Sequence, residues 1–172
     1  MEDKASAMSR HIRGWRASVK KGEAQRVMTE TVALASKRGA DVLILKADMV
    51  FGLDHIKAAY CHAKEAIDDG RGASDSITME TLLYASGERQ LGSAIKKMSV
   101  DQRTEEIVVV LLGGEGFEPS PGWAPLPDHD PGPSVGRLKS FGISENELGT
   151  VAPGKEGELV LERVASVDVM KK

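Results

Sequence analysis

Two short runs of consecutive apolar residues constrain this chain most. Val42-Leu43-Ile44-Leu45 follows a glycine within Asp41–Met49, and Ile107-Val108-Val109-Val110-Leu111-Leu112 lies within Glu105–Leu112. Neither alternates with polar residues, so each predicts a strand covered on both faces rather than a half-wet one. The second is rich in β-branched residues, which suit a pleated surface. A further strand is expected over His11–Lys20, where Trp15, Ala17 and Val19 share one face. Strands buried on both sides need helices to cover them, and the intervening sequence supplies the candidates.

Gly22–Arg38 shows helical spacing through Val27, Met28, Thr31, Leu34 and Ala35, and Gly39 ends it. Leu53–Asp69 carries a stripe of Leu53, Ile56, Tyr60, Ala63 and Ile67 after a turn at Gly52. Asp68 and Asp69 oppose the helix dipole there, so other contacts must hold that end. Ser76–Met98 reads as two helices meeting at Gly87, with Asp75 or Ser76 as the N-cap. The second of them places Leu91, Ala94, Ile95 and Met98 on one face. Gly113–Gly142 holds six of the seven prolines and is expected to be a mobile loop or a loosely packed excursion. Ser144–Leu148 is expected to form one helical turn, Lys155–Arg163 a last helix and Val164–Met170 a closing strand. Met1–Ser9 is expected to be a frayed tail. The order, roughly βαβααα, then β, a long loop and αβ, predicts a layered α/β (α+β) fold. It is expected as a single domain over residues 1–172, with a mixed or mostly antiparallel sheet packed with helices.

Composition excludes several classes of function. At 172 residues, 41% hydrophobic and 28% charged, the chain suits a globular domain with a real core. No apolar run approaches the ~20 residues needed to cross a bilayer, and no secretory signal is visible. A single cysteine, Cys61, is consistent with a reducing, cytoplasmic compartment. The net charge of −3 argues against a protein that coats nucleic acid indiscriminately, so any nucleic-acid role must rest on one local face.

The chemistry that would mark an enzyme is absent from the sequence. Gly113-Gly114-Glu115-Gly116 follows a strand, but it lacks the last glycine of the G-x-G-x-x-G fingerprint, and prolines follow where a helix must start. No phosphate loop and no nucleophile elbow occurs. His55 and His62 are seven residues apart on one helix, ~10.5 Å along its axis, too far for one metal ion, and are expected to be partly exposed. His129 sits between Asp128 and Asp130 on a solvated loop tip. Cys61, with Lys57 and Lys64 nearby, has no base beside it and is expected to be inert. No cofactor or metal is expected.

One stretch does more than fold. Gly87-Glu88-Arg89-Gln90 falls between two apolar helical runs. A cation and an amide are thereby placed where the first helical N–H groups lack partners and the dipole favours an anion. The plain alternative is that Arg89 pairs with Glu88 or Asp75 and Gln90 caps a neighbour.

The residues around this stretch also resemble a known family. Phe51-Gly52-Leu53-Asp54-His55-Ile56-Lys57-Ala58-Ala59 and Met79-Glu80-Thr81-Leu82-Leu83-Tyr84-Ala85-Ser86-Gly87-Glu88-Arg89-Gln90-Leu91 are similar to its signature segments, as are Glu105–Leu112 and Leu161-Glu162-Arg163-Val164-Ala165. The family is the regulatory, kinase-binding subunit of the KEOPS (EKC) complex in its archaeal style. The likeness is good over Val42–Leu112 and moderate over Leu159–Val169; the first forty residues carry little of it, and Gly113–Gly142 departs from it. The resemblance implies a compact α/β, non-catalytic protein that binds the N-lobe of the small kinase-like ATPase subunit and stimulates it. It also implies binding of the single-stranded C-C-A end of tRNA, within a complex that installs threonylcarbamoyl on an adenosine beside the anticodon. Other subunits of the complex would be met only indirectly, and no membrane is involved.

On that reading Arg89 forks onto a phosphate or stacks on a base, and the N–H groups of Gly87 to Arg89 take another phosphate oxygen. Gln90 reads a base edge, Leu91 and Tyr84 offer apolar surface or pack in the core, and Lys57 and Lys64 are candidates for backbone contact. Two rivals stand beside it: a pure protein-interaction subunit without RNA contact, and a small-molecule enzyme using the Gly113–Gly116 loop with Asp128 or His129.

Overall fold

A computed structural model describes Lys4 and residues 11–171; the tail expected over Met1–Ser9 lies, Lys4 excepted, outside them. The fold is α+β. Its four strands are β1 (Arg13–Ser18), β2 (Asp41–Lys46), β3 (Glu106–Gly113) and β4 (Ala124–Pro125). They form one antiparallel sheet in the order β2-β3-β1-β4. Seven helices accompany it among the described residues: α1 (Ala24–Lys37), α2 (Leu53–Asp68), α3 (Ile77–Ser86), α4 (Leu91–Met98), α5 (Val135–Phe141), α6 (Glu145–Leu148) and α7 (Gly157–Met170). The chain divides into two compact units. One takes in the chain up to Ala47 with Ser99–Leu126; the other takes in Asp48–Met98 and the chain from Pro127 onward.

The first unit contains the sheet. Both apolar runs are strands buried throughout, Val42–Leu45 and Ile107–Leu112 alike, as their lack of alternation requires. In register, Trp15 and Ile44 flank Val109 on either side. Trp15, Ala17, Ile44, Ile107, Val109 and Phe117 make a core face closed by Ala24 and Ala35 of α1. Small residues bring α1 close, and this displaces the expected stripe. Val27 and Met28 are only half-buried, and Leu34 is exposed. Gly114 adopts φ +103°, and a Cβ there would lie 2.5 Å from Ala40 Cα. The glycine after β3 thus answers a close backbone approach rather than a phosphate.

The second unit is helical. α2 begins at Gly52, φ +95°, where a Cβ would fall 2.5 Å from Asp128 O. Leu53 and Asp54 donate their N–H groups to the carbonyls of Pro127 and Asp128 at 2.8 and 2.9 Å, so a chain segment caps this helix in place of a side chain. Arg137 of α5 holds that segment. It donates to Asp130 at 2.6 Å and to the carbonyls of Asp48 and Val50 at 3.1 and 2.9 Å, and it lies over the Phe51 ring. The Gly113–Gly142 stretch is therefore not simply the mobile loop or loosely packed excursion expected of it. It contributes β4, which includes Pro125, to the sheet of the first unit and α5 to the second, and its other prolines sit in the connections.

Two more expectations are corrected. α7 runs unbroken to Met170, so Val164–Met170 is helix and not a closing strand. Val164 and Val167, three apart, are buried with Leu159 and Val160, while Val169 is 71% exposed. The three-residue spacing of Val164 and Val167 is that of a helix face. His55 is not partly exposed but 1% exposed. The acidic end of α2 is held as its dipole demanded: Lys64 pairs with Asp68 at 2.6 Å, and Arg71 with Asp69 at 3.0 Å.

Candidate functional site

The candidate site begins with how α3 ends. Ser76 caps the start of α3, accepting from the Met79 N–H at 3.4 Å, and every residue from Glu80 to Ser86 is buried. Such a helix has no wet face, so its end must be satisfied internally. Gly87 supplies the left-handed residue, φ +67°, and a Cβ there would come within 3.1 Å of Arg163 Cβ. Ser86 donates its hydroxyl to Leu83 O at 2.7 Å and accepts the Glu88 N–H at 3.0 Å. His55 lies beneath: its Nδ1 accepts the Phe51 N–H at 3.1 Å, which leaves Nε2 as the donor to Ala85 O at 2.7 Å. Burial, the largest influence, pulls this imidazole down to about 4 and keeps it neutral; the Ala85 bond opposes and the Lys97 charge assists.

Lys97 completes the support. Its ammonium donates to Ser86 O at 2.6 Å and to Glu88 at 3.2 Å, and it lies 3.8 Å from the Phe141 ring centroid. Burial lowers its pKa, partly offset by Glu88 and reinforced by Arg163. Arg163 is fixed in turn by Glu147 at 2.6 Å and Gly142 O at 3.0 Å. Glu147 itself closes a capping box with Ser144 at the start of α6.

Above this support stand Arg89 and Gln90, both exposed. Gln90 O accepts the Ala94 N–H at 3.1 Å and so opens α4, but neither side chain has a hydrogen bond or ion pair among the described residues. Arg89 is not paired with Glu88, which Lys97 occupies. One expectation is corrected in detail: the Gly87 N–H donates to Tyr84 O and the Glu88 N–H to Ser86 Oγ, so neither is open to a phosphate. Leu91 is half-buried at the first turn of α4, whose buried residues are Ala94 and Met98, with Ile95 exposed.

Gly87, Arg89, Gln90 and Leu91 are thus one turn, while Lys57 and Lys64 belong to a separate element, two turns apart along α2. Lys57 is half-buried and 3.9 Å from Asp128. Lys64 is engaged with Asp68, whose hydrogen bond raises its pKa. Tyr84 is core, stacked on His62 at 5.6 Å and donating to Asp168. Sequence reasoning missed the supporting roles of Ser86, Lys97 and His55. The buried character of α3, visible in its unbroken Thr81–Ala85 run, was the available signal. Among the described residues, no group of three or more potential ligands is placed to hold a metal ion, and no helix is long and apolar enough to cross a membrane.

A comparison with protein-family models matches residues 19–128 to the kinase binding protein CGI-121. No curated protein matches the chain.

Proposed function

The chain belongs to the CGI-121 family of kinase-binding proteins, and from that premise we propose that it is the regulatory, non-catalytic subunit of the KEOPS tRNA-modification complex. In this reading it docks on the N-lobe of the kinase-like ATPase subunit and stimulates it. It also holds the C-C-A end of tRNA while threonylcarbamoyl is installed elsewhere on that molecule. It works in the cytoplasm.

The RNA half rests on one observation: the Arg89 and Gln90 side chains stand exposed and without partners among the described residues, on a turn whose Gly87 and Glu88 N–H groups, Ser86 carbonyl and Glu88 carboxylate are all engaged within the chain. A guanidinium can fork onto a phosphate or stack on an unpaired base. A carboxamide can pair with a base edge. A short single-stranded end needs only such a small patch, which agrees with a net charge of −3. The immobilised turn beneath lowers the ordering cost of binding.

The deciding experiment is binding of full and tail-trimmed tRNA by the isolated protein. Full tRNA binds, trimming the C-C-A end weakens it, and Arg89→Glu weakens full tRNA to the same level while kinase binding persists. Equal affinity for both tRNAs, or unchanged affinity in a folded Arg89→Glu protein, overturns the RNA half and leaves a kinase-binding subunit without RNA contact.

A further inference from the structure

The second unit contains a cleft of about 570 Å³ whose lining includes neither Arg89 nor Gln90. Its floor is Phe51 and its walls carry Val135 and Leu161, 54% and 38% exposed. The volume is that of a ligand pocket, and two large aliphatic side chains facing the same open space mark a surface that gains from being covered. Four carboxylates, Asp54, Asp130, Glu156 and Glu158, line it against one lysine, Lys155, and His129.

The carboxylates are not equivalent. Asp130 is committed to Arg137, Glu158 to Lys155, and Asp54 to His129 at 3.0 Å. Glu156 is half-buried at the N-cap of α7 and has no side-chain hydrogen bond or ion pair among the described residues. A partly desolvated carboxylate without a partner is satisfied best by a cation brought from outside. Much of the wall, from His129 to Leu161, lies beyond the residues that the family match covers.

We propose that this cleft docks a basic peptide segment of a partner protein, an apolar side chain entering between Val135 and Leu161 while an adjacent arginine or lysine pairs with Glu156. The aliphatic walls select against a bare cation, and the acidic lining selects against acidic peptides and nucleic acid.

Fluorescence anisotropy with a labelled Gly-Ser-Arg-Leu-Arg-Ser-Gly peptide tests it, with Glu-Leu-Glu and Arg-Gly-Arg versions as controls. The Arg-Leu-Arg peptide binds. Both controls, and both Glu156→Lys and Val135→Asp in proteins of unaltered circular dichroism, weaken binding by about tenfold or more, the scale of losing one anchor. Arg89→Glu leaves it unchanged. No binding of the Arg-Leu-Arg peptide overturns the proposal, as does equal binding of the Glu-Leu-Glu peptide. Equal binding of Arg-Gly-Arg with competition by spermidine also overturns it, showing a site for small cations.

Discussion

Near the end of α7, Asp168 accepts from three side chains: His62 at 2.9 Å, Arg71 at 3.2 Å and the Tyr84 hydroxyl. Lys171 pairs with Glu80, which is fully buried and also accepts the N–H groups of Ala73 and Ser74 at 3.2 and 3.0 Å. On the turn between α3 and α4, Arg89 and Gln90 have no such partners among the described residues. Both regions concentrate polar side chains, yet the first spends all of them on joining α2, α3 and α7. Burial works against the Asp168 charge, but hydrogen bonds from Tyr84, His62 and Arg71 hold its pKa below the ordinary value. Burial, with Asp168 second, raises that of Tyr84. A satisfied network holds the fold; the exposed pair, without partners among the described residues, is what the proposed RNA contact rests on.

The largest effect expected from breaking this contrast is Glu80→Ala. It leaves the Lys171 ammonium and the part-buried N–H groups of Ala73 and Ser74 without their acceptor, and removing one partner of a buried pair costs about 3–5 kcal/mol. Urea titration should show that loss. tRNA affinity of the protein that remains folded should not change, because Glu80 supports the loop over Ala73–Ser74 rather than Arg89. A loss of RNA affinity as large as the loss of stability would merge the two regions and remove the contrast.

Next comes pH. Neutral His55 is required in the fold, and its folded pKa of about 4 lies below the ordinary 6.5. The unfolded chain therefore binds a proton here first. The stability His55 contributes is complete above pH 6.5 and declines as pH falls from there through 4, by about 3 kcal/mol in all. His55→Gln, whose carboxamide can accept from Phe51 and donate to Ala85, should remove this part of the pH slope. An unaltered slope in that variant would assign the decline to other groups.

These two sites also show what the chain disclosed in advance. Both central strands were legible because Val42–Leu45 and Ile107–Leu112 lack any polar alternation, and Gly87 was legible because helices end on glycine. Arg89 and Gln90 were legible for the same reason, since a position beside a glycine break is a place rather than a contact. His55 was misread because its burial comes from α3 and α5, distant in sequence; nothing within its own helix announces Ala85 O or the Phe141 ring. Val164–Met170 was misread as a strand because valines in alternation carry β-propensity, and only docking of Asp168 and Val167 decides for a helix. The prolines of Gly113–Gly142 led to the reading of a mobile loop or a loosely packed excursion, because nothing within the stretch announces that Arg137 fastens it onto the start of α2.

Arg89→Glu ranks third, as it reverses a charge with no internal partner. Thermal unfolding should be unchanged, while tRNA affinity falls by about tenfold or more, ~1.4 kcal/mol per factor of ten. The salt dependence of binding should become shallower, because a phosphate contact releases a counterion. Gln90→Ala should weaken binding less and leave the salt slope intact, since a carboxamide carries no charge. A Gln90 effect on the slope equal to that of Arg89 would mean that the turn itself had moved.

The smallest expected effect separates the turn from α2. Lys64 is held by Asp68 at 2.6 Å, so its positive charge is already largely answered within the chain. Lys64→Ala should therefore change tRNA affinity by less than about twofold, as expected of an exposed, internally paired charge. Asp68→Asn should do more than Lys64→Ala, in the opposite direction, because it frees the ammonium to meet a phosphate, and the gain should disappear at high salt. Measuring both variants at low and high ionic strength compares a paired cation with the unpaired Arg89 on one scale. If Lys64→Ala were as damaging as Arg89→Glu, the RNA would be read across α2 as well as the turn, and the contrast between spent and unspent charge would no longer locate the site.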